Sequence, residues 1–288
     1  MQQRTLGDVT VGAIGLGAMP LSVPGHPDPD QSRATVHAAL DAGVTLIDTA
    51  DAYTPDGRLG HNEEVVAEAL RSYGGETSGV LVATKAGHTR DGRDWDVDGR
   101  PEYLLEAAQA SARRLGVDSL GLLQHHRPDP KVPYEETMGG LRALLDDGIA
   151  QRVGISNADP EQIRLAKHII GDGLVSVQNQ LSPAFRSSLP EVEVCTELGL
   201  AFLPWSPLGG MRSAKDLPAT FTPFAEVAEE LGTSPYQVCL AWLLAKSTTV
   251  LPIPGASRPA TIQDSAAASQ LTLSDDQIAR LDATDTSD

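Results

Sequence analysis

Short apolar runs alternate with longer amphipathic stretches along the whole chain. The apolar runs are rich in Val, Leu and Ile and predict buried strands at residues 13–17, 44–48, 80–85, 120–126, 152–157, 174–178, 200–205 and 249–254. Helical spacing predicts helices at 30–42, 61–73, 101–115, 134–147, 159–170, 188–198, a pair within 221–247, and 258–270. Eight strand–helix units in series predict an α/β fold, the closed (β/α)8 TIM barrel. An open doubly wound sheet is the alternative.

The connections between these elements predict a hairpin at one end of the barrel and two long loops at the other. Residues 5–12, TLGDVTVG, carry Gly-Asp between alternating residues and predict an N-terminal hairpin across the barrel floor. No low-complexity linker divides the chain, so we expect a single barrel domain over residues 1–288. Segments 86–100 and 206–223 are too long for simple connections. Both follow predicted strands, so we expect both to bind a ligand at the functional end of the barrel.

Composition and charge exclude several classes of partner. The chain has 22 Lys and Arg against 39 Asp and Glu, a formal net charge of −17, which disfavours nucleic acid and anionic membranes. The N-terminus lacks the apolar stretch of an export signal, and no run reaches the ~20 apolar residues of a membrane span. The sequence therefore predicts a cytoplasmic protein with no nucleic-acid or membrane partner, as a monomer or weak homo-oligomer.

Polar residues collect where the predicted strands end, which is where a (β/α)8 barrel carries its active site. The strand ends and the residues just after them contribute Asp48, Tyr53, Lys85, Gln124, His125, His126, Ser156, Asn157, Gln178, Trp205 and Ser206. The bodies of most of these strands are apolar. This distribution favours a functional site over a role in stability.

Lys85, Asp48 and Tyr53 suggest acid–base chemistry. Lys85 closes the apolar run VLVAT, where its charge is costly unless it is paired, and Asp48 ends the adjacent strand at the same height. A structural ion pair is the alternative interpretation. If Tyr53 joins the pair, the ammonium is expected to lower the pKa of the phenol and make it a usable general acid.

The segment QHHRPDP, residues 124–130, contains two adjacent histidines. On a strand, Leu122, Gln124 and His126 share one face, while His125 points the other way. Alternation alone does not say which face looks into the barrel. His126 is nearer the mouth, where its imidazole could hydrogen-bond a carbonyl oxygen. Because the two rings diverge and Pro128 constrains Asp129, we predict no metal site here.

Phosphate-binding features occur late in the chain. The segment GLGAMP resembles a Rossmann fingerprint, but its third glycine is replaced by Pro20, so we reject that interpretation. Phosphates more plausibly bind after the seventh and eighth strands. There SPLGG allows close backbone approach, and GASRP opens the last helix, with Ser257 as the expected N-cap and Arg258 able to grip a phosphate.

The polar strand ends closely resemble the aldo-keto reductase superfamily. The segments that carry the resemblance are GLGAMP (15–20), LIDTADAY (46–53), ATKAG (83–87), LLQHHRPD (122–129), GISN (154–157), QNQLS (178–182), WSPLGG (205–210) and IPGASRP (253–259). The resemblance implies hydride transfer from NADPH to an aldehyde or ketone. Asp48, Tyr53, Lys85 and His126 would be the catalytic set, with Tyr53 as general acid. The family pattern Y-Q-x-H-R assigns the catalytic role to His126 and leaves His125 where an aliphatic residue is usual.

The resemblance also assigns cofactor contacts. It implies that Ser156, Asn157 and Gln178 hold the carboxamide, that Trp205 stacks on the nicotinamide, and that Arg258 favours NADPH over NADH. The remaining implied contacts are Gly17, Ala18, Met19, Asp48, Ser206, Pro207, Leu208, Gly209, Gly255, Ser257, Asp264 and Ser265. Two departures from the family concern cofactor preference: Thr261 stands where an arginine is expected, and Asp264-Ser265 replaces a Glu-Asn pair facing the adenine.

The expected substrate is a small-molecule carbonyl compound in an open mouth. The loop RPDPKVPYEE is short, and the chain stops soon after its final helix, so we expect Trp95 and His88 to contact the substrate, with Met19 and Met211 beside them. Residues 203–210 and the IPG of the last strand are similar to bacterial pyridoxal reductases. Pyridoxal, aryl aldehydes, keto sugars and natural-product ketones all fit this pattern.

Two other functions use the same residues. A Schiff-base aldolase on the same barrel would use Lys85 as its nucleophile. A non-catalytic, nucleotide-sensing subunit would bind the dinucleotide without turnover, but the sequence has no evident interaction tail or exposed apolar stripe to support it.

Overall fold

The computed structural model describes residues 1–92, 94–211 and 213–284. Arg93, Arg212 and residues 285–288 lie outside the described residues, and a single domain over 1–288 stays a prediction. The strands β1 to β11 are Gln3–Leu6, Val9–Gly12, Leu16–Gly17, Leu46–Asp48, Leu81–Ala86, His88–Asp91, Asp94–Val97, Leu122–His125, Val153–Ser156, Leu174–Gln178 and Ala201–Phe202. The helices α1 to α11 are Pro29–Asp41, His61–Ser72, Pro101–Leu115, Tyr134–Asp146, Pro160–Ile170, Leu189–Leu198, Leu217–Thr220, Thr222–Leu231, Pro235–Leu244, Pro259–Ala267 and Asp275–Asp282.

Seven parallel strands form one curled sheet in the order β3-β4-β5-β8-β9-β10-β11. The eighth predicted strand, 249–254, is not a regular strand, because Pro252 and Pro254 have no N–H to donate to a ladder. It nevertheless bonds both edges of the sheet. Leu251 N–H donates to the Phe202 carbonyl (2.8 Å), and Gly15 N–H donates to the Pro252 carbonyl (2.9 Å). This irregular segment closes the predicted (β/α)8 barrel.

The predicted hairpin covers the floor of the barrel. Strands β1 and β2 pair in antiparallel fashion, and the turn between them contains Gly7 at φ 61°. Leu6 and Val11 are buried in one cluster with the interior residues Leu46 and Leu122. The hairpin therefore plugs the end of the barrel opposite the strand termini that carry the polar residues.

The helices bury the outward faces of the strands. Leu123 packs in the outer cluster with helical residues, whereas Leu122 lies in the interior cluster, as strand alternation requires. The outer cluster also buries both cysteines, Cys195 and Cys239, as free thiols. No helix within the described ranges is both long enough and apolar enough to cross a membrane.

Both long loops contain regular elements that were not predicted, and in the second loop this element is helix α7, Leu217–Thr220. The segment after β5 contains an antiparallel hairpin, β6–β7, that pairs His88 with Val97 and Arg90 with Trp95. It was not predicted because its strands are short, mostly polar and largely exposed. The expected N-cap is also corrected. Helix α10 begins at Pro259, so Arg258 occupies the N-cap position in place of Ser257, with no side-chain capping bond.

Candidate active site

A cavity opens at the carboxyl ends of the barrel strands. It is lined by Gly17, Met19, Pro20, Asp48, Tyr53, His88, Trp95, His126, Arg127, Ser156, Asn157, Gln178, Trp205, Ser206, Pro207, Leu208, Gly210, Met211, Ala214, Ile253 and Gly255. Each strand of the barrel supplies at least one lining residue from its end or from the loop that follows it, and β5 does so through His88 and Trp95 of its long loop. The polar residues singled out from the sequence are thus gathered at one mouth.

Lys85 and Asp48 form a buried ion pair beneath this cavity. Lys85 Nζ donates to Asp48 Oδ2 (2.5 Å) and to the Thr49 carbonyl (2.9 Å), and its side chain is fully buried. Register explains the pairing: Asp48 lies beside Ala83, and Lys85 is two residues further along the same face of β5. Burial lowers the pKa of Lys85, but its interactions with Asp48 and Tyr53 outweigh burial and the net pKa is raised. The ammonium therefore stays charged.

Tyr53 lies against this pair. Lys85 Nζ is 5.0 Å from the centre of its ring. The ammonium lowers the phenol pKa as expected, but burial raises it by more, and the Asp48 charge adds to burial. The expected net lowering is therefore wrong for this site. The pKa of Tyr53 is raised, and the phenol stays protonated at neutral pH.

Two amide side chains orient the Asp48 carboxylate. Gln178 Nε2 donates to Asp48 Oδ1 (2.8 Å), and Gln124 Nε2 donates to the same oxygen at 3.2 Å. Asp48 therefore turns one oxygen to Lys85 and the other to the two glutamines. This network fixes the height and direction of the ammonium beneath Tyr53.

The structure distinguishes the two adjacent histidines. His126 lines the cavity with its ring centre 5.6 Å from that of Tyr53, whereas His125 is buried away from the cavity near Tyr134. Burial and the nearby Lys85 charge bring the pKa of His126 well below its ordinary range, so its imidazole is neutral. Burial lowers the pKa of His125 to about 4. Asp129 accepts bonds from two backbone N–H groups, those of Gly99 and Lys131.

The expected carboxamide site lies at the ends of β9 and β10. Ser156 Oγ donates to the Gln178 carbonyl (2.5 Å), and Asn157 Nδ2 donates to the His126 carbonyl (2.9 Å). Asn157 also adopts a positive φ of 57°. A left-handed backbone at a non-glycine residue is strained, and such strain is common at functional sites.

The expected nicotinamide and phosphate contacts lie in the loop after β11 and near Gly17 at the end of β3. Trp205 lines the cavity, and its buried Nε1–H has no partner among the described residues. Ser206 has a positive φ of 49°, and Gly209 and Gly210 follow at φ 90° each. Across the barrel seam, a Cβ on Gly17 would come 2.8 Å from the Ile253 carbonyl oxygen, so only glycine fits there.

Several predicted cofactor residues lie outside this cavity: Ala18, Gly209, Ser257, Arg258, Asp264 and Ser265. Arg258 is exposed beside it at the start of α10. Asp264 already accepts bonds from Ser234 and Gln237 at the start of α9, and Ser265 is buried. A role for this pair at the adenine stays a prediction.

The residues expected at the substrate mouth all line the cavity. His88 and Trp95 come from the β6–β7 hairpin, with their ring centres 5.2 Å apart, and His88 lies 4.4 Å from His126. Trp95 is 45% exposed and Met211, on the opposite loop, is 57% exposed. Met19 completes this apolar rim.

Two structural features were missed at the sequence level. Asn62 is fully buried and donates to the Ala18 carbonyl (2.8 Å) and to Ser22 (2.7 Å), which ties together loops near the mouth. No pattern distinguishes it from an ordinary polar helix residue. Arg127 lines the cavity directly after His126. Its position beside the predicted catalytic histidine was the available signal.

The sequence profile of the Aldo/keto reductase family matches residues 13–286. The chain belongs to this family. It is 34% identical to an uncharacterized oxidoreductase of Schizosaccharomyces pombe over 96% of this chain and 88% of the relative. It is 32% identical to pyridoxine 4-dehydrogenase of Escherichia coli, over 96% of each protein.

Solved aldo-keto reductases share the fold. A thermostable member in complex with the inhibitor epalrestat has a TM-score of 0.83 at 26% identity, covering 98% of this chain and 99% of that one. A Klebsiella pneumoniae aldo/keto reductase in complex with NADP and acetate has a TM-score of 0.79 at 28% identity, covering 97% and 94%. This aldo-keto reductase is therefore an oxidoreductase that acts on small-molecule carbonyl compounds with a nicotinamide cofactor.

Proposed function

We propose that the protein is an NADPH-dependent carbonyl reductase in which Tyr53 is the general acid. The observation that carries this proposal is the buried Lys85–Asp48 pair, with Lys85 Nζ 5.0 Å from the Tyr53 ring at the wall of the cavity. A protonated phenol beside a fixed ammonium can give up its proton, because the phenolate that forms is stabilised at once. Reduction of a carbonyl group needs such a proton donor at the oxygen.

The protonation states around Tyr53 agree with this role. A raised pKa keeps the phenol protonated before reaction, and the raised pKa of Lys85 keeps the stabilising charge in place. Asp48 holds that ammonium through a short contact and is itself held by Gln124 and Gln178. These groups are therefore arranged before the substrate arrives, which is the condition for effective electrostatic stabilisation.

His126 is suited to orient the substrate. Its imidazole is neutral, so one ring nitrogen carries a proton to donate and the other does not. A hydrogen bond from His126 to the carbonyl oxygen would hold that oxygen near the Tyr53 hydroxyl. Because the ring does not hold an extra proton, His126 is the weaker candidate for general acid.

The residues expected to contact the cofactor fit a nicotinamide dinucleotide. The unpartnered Trp205 Nε1–H and the tight glycine at position 17 mark places where a ligand or its backbone neighbours come close. Ser156, Asn157 and Gln178 present amide and hydroxyl groups suited to a carboxamide. When bound there, the reduced nicotinamide would supply the hydride. Arg258, exposed at the start of α10, supports preference for the 2′-phosphate of NADPH over NADH.

A Schiff-base aldolase is disfavoured by the state of Lys85. A nucleophilic amine must be neutral and reach the substrate. Lys85 has a raised pKa, is fully buried and does not line the cavity. A nucleotide-sensing subunit needs no proton donor, so it leaves the arrangement around Tyr53 unexplained.

The test is a panel of carbonyl compounds, including pyridoxal, aryl aldehydes and keto sugars, offered with NADPH and with NADH. We expect carbonyl-dependent loss of the reduced-nicotinamide absorbance, faster with NADPH. Binding of NADPH without turnover on any carbonyl compound would contradict the proposal. The cytoplasmic location and the monomeric or weakly oligomeric state stay predictions.

A further inference from the structure

Arg127 is a cation at the active-site mouth that the proposed reaction does not use. It lines the cavity and is exposed, and no carboxylate lies within ion-pair distance of it in the part of the chain that the structure describes. Most arginines elsewhere on this acidic chain have a carboxylate partner, for example Arg58 with Glu64 and Arg164 with Glu197. Arg127 is therefore available to a ligand.

The backbone that carries Arg127 is fixed on both sides. His126 N–H donates to the Ala86 carbonyl (2.8 Å), and the His126 carbonyl accepts from Asn157 (2.9 Å). On the other side, Asp129 accepts from the Gly99 N–H (3.0 Å), and Pro128 between them restricts the chain. The turn thus places the backbone of Arg127 at the mouth, directly after the proposed substrate-orienting histidine.

Arg127 is also the only uncompensated charge on the described cavity wall. Asp48 is neutralised by Lys85, and burial holds the pKa values of His88 and His126 below their ordinary range. His88 Nδ1 bonds the Asp96 carbonyl, which further fixes that ring. The remaining lining side chains are uncharged. An electrically neutral substrate would leave this charge without a partner.

The position of Arg127 separates it from the proposed phosphate site. It follows β8, the fourth strand of the barrel, whereas Arg258 follows the irregular segment that takes the place of the eighth strand, half-way around the barrel. A dinucleotide phosphate at Arg258 and an anion at Arg127 would therefore lie on opposite sides of the mouth. Trp95, with Arg90 stacked on one face of its indole at 4.0 Å, lines the cavity from the hairpin after β5, the strand next to β8.

We propose that Arg127 binds an anionic substituent of the carbonyl substrate, so that the preferred substrates are planar aldehydes or ketones bearing a carboxylate or phosphate. This inference rests on the proposed function. A guanidinium binds either anion through two parallel hydrogen bonds, and the indole of Trp95 suits a flat ring between the anion and the carbonyl group. Arg127 is a specificity-determining residue here and takes no part in proton transfer.

The test compares matched aryl aldehydes in the wild type and in Arg127→Gln. The anionic probes are 4-formylbenzoate and 4-formylphenyl phosphate, and the neutral isostere is 4-formylbenzamide. We expect Arg127→Gln to raise KM for the anionic probes about ten- to a hundredfold, the usual range for losing a charge-assisted bond, with kcat unchanged. KM for 4-formylbenzamide should not change. Lys131→Gln, which removes a nearby cation that does not line the cavity, is the control and should leave all values unchanged.

A second measurement does not depend on turnover. Binding of 4-formylbenzoate is followed by tryptophan fluorescence, and we expect Arg127→Gln to weaken it while Arg127→Lys keeps part of the affinity. Equal KM and equal binding in wild type and Arg127→Gln would overturn the role of Arg127 and leave the reductase intact. Arg127-dependent binding with no reduction of any probe would instead overturn the proposed function. A larger effect on one anionic probe identifies which anion the site takes.

Discussion

Lys85 Nζ lies 5.0 Å from the centre of the Tyr53 ring, and both side chains are buried. The two groups act on the phenol in opposite directions: burial raises the pKa of Tyr53, and the ammonium lowers it. The balance favours the protonated phenol at rest. The ammonium stabilises the phenolate that would form when the proton leaves, so burial keeps the phenol protonated at rest and Lys85 supports its conjugate base.

Replacing Tyr53 by Phe tests the proton donor directly. We expect kcat for carbonyl reduction to fall by about 10²–10⁴, the usual contribution of a general acid, because the hydroxyl is lost and the ring is kept. Dissociation constants for NADPH, measured by fluorescence, should change little. Tyr73→Phe is the control, since Tyr73 bonds Asp41 far from the cavity. Near-normal turnover in Tyr53→Phe would mean that another group donates the proton.

The pH profile follows from the same two residues. In the proposed mechanism reduction requires protonated Tyr53, whose pKa is raised above its ordinary value of 10.0, so kcat/KM for reduction should fall only as the pH rises beyond 10. The pKa of His126 lies well below its ordinary 6.5, so its charge should not change between about pH 6 and 8 and the profile should be flat there. By the same proposed mechanism, alcohol oxidation would need the phenolate, so its rate should rise with pH. A limb near pH 6.5 that disappears in His126→Asn would contradict the neutral state of this ring.

Arg258 is expected to set the cofactor preference. If it binds the 2′-phosphate, Arg258→Gln removes a charge-assisted bond and should weaken NADPH binding about tenfold or more, while NADH binding stays the same. Dissociation constants for both dinucleotides give the answer without turnover. Arg113→Gln serves as the control, because Arg113 is exposed on α3 away from the cavity. Equal weakening of both dinucleotides would show that Arg258 does not distinguish them.

Repeated strand–helix patterning predicts the barrel because apolar runs and helical periodicity are local signals. The eighth predicted strand, 249–254, could not be predicted in detail. Its apolar run resembles a strand, but Pro252 and Pro254 have no N–H to donate to a regular ladder. The hairpin carrying His88 and Trp95 was missed because its strands are short, mostly polar and largely exposed, so no long apolar run marks them.

In the site, too, features set by neighbouring residues in the sequence could be predicted, whereas features set by packing of distant residues could not. The position nearer the barrel mouth and the family pattern selected His126, and the structure places that ring in the cavity. The net pKa of Tyr53 was wrong at the sequence level, because burial depends on every element packed around the ring. Arg127 was missed for a related reason: whether a cation is paired depends on residues distant in sequence.

Adjacent glycines in α4 separate helix propensity from packing. A Cβ on Gly139 would have no heavy atom within 4 Å, whereas a Cβ on Gly140 would come 3.0 Å from both Cα and Cβ of Pro101 at the start of α3. Gly139→Ala should therefore raise the free energy of unfolding by about 1 kcal/mol, the difference in helix propensity. In Gly140→Ala the same gain is offset by overpacking, which costs about 1–3 kcal/mol.

Urea unfolding of the two variants and the wild type measures these changes. The expected order of stability is Gly139→Ala, then wild type, with Gly140→Ala no better than wild type. Because both substitutions add one methyl group to the same helix, propensity alone predicts equal gains. Equal stabilisation would therefore mean that Pro101 moves away at little cost, and that the α3–α4 contact is looser than its distances indicate.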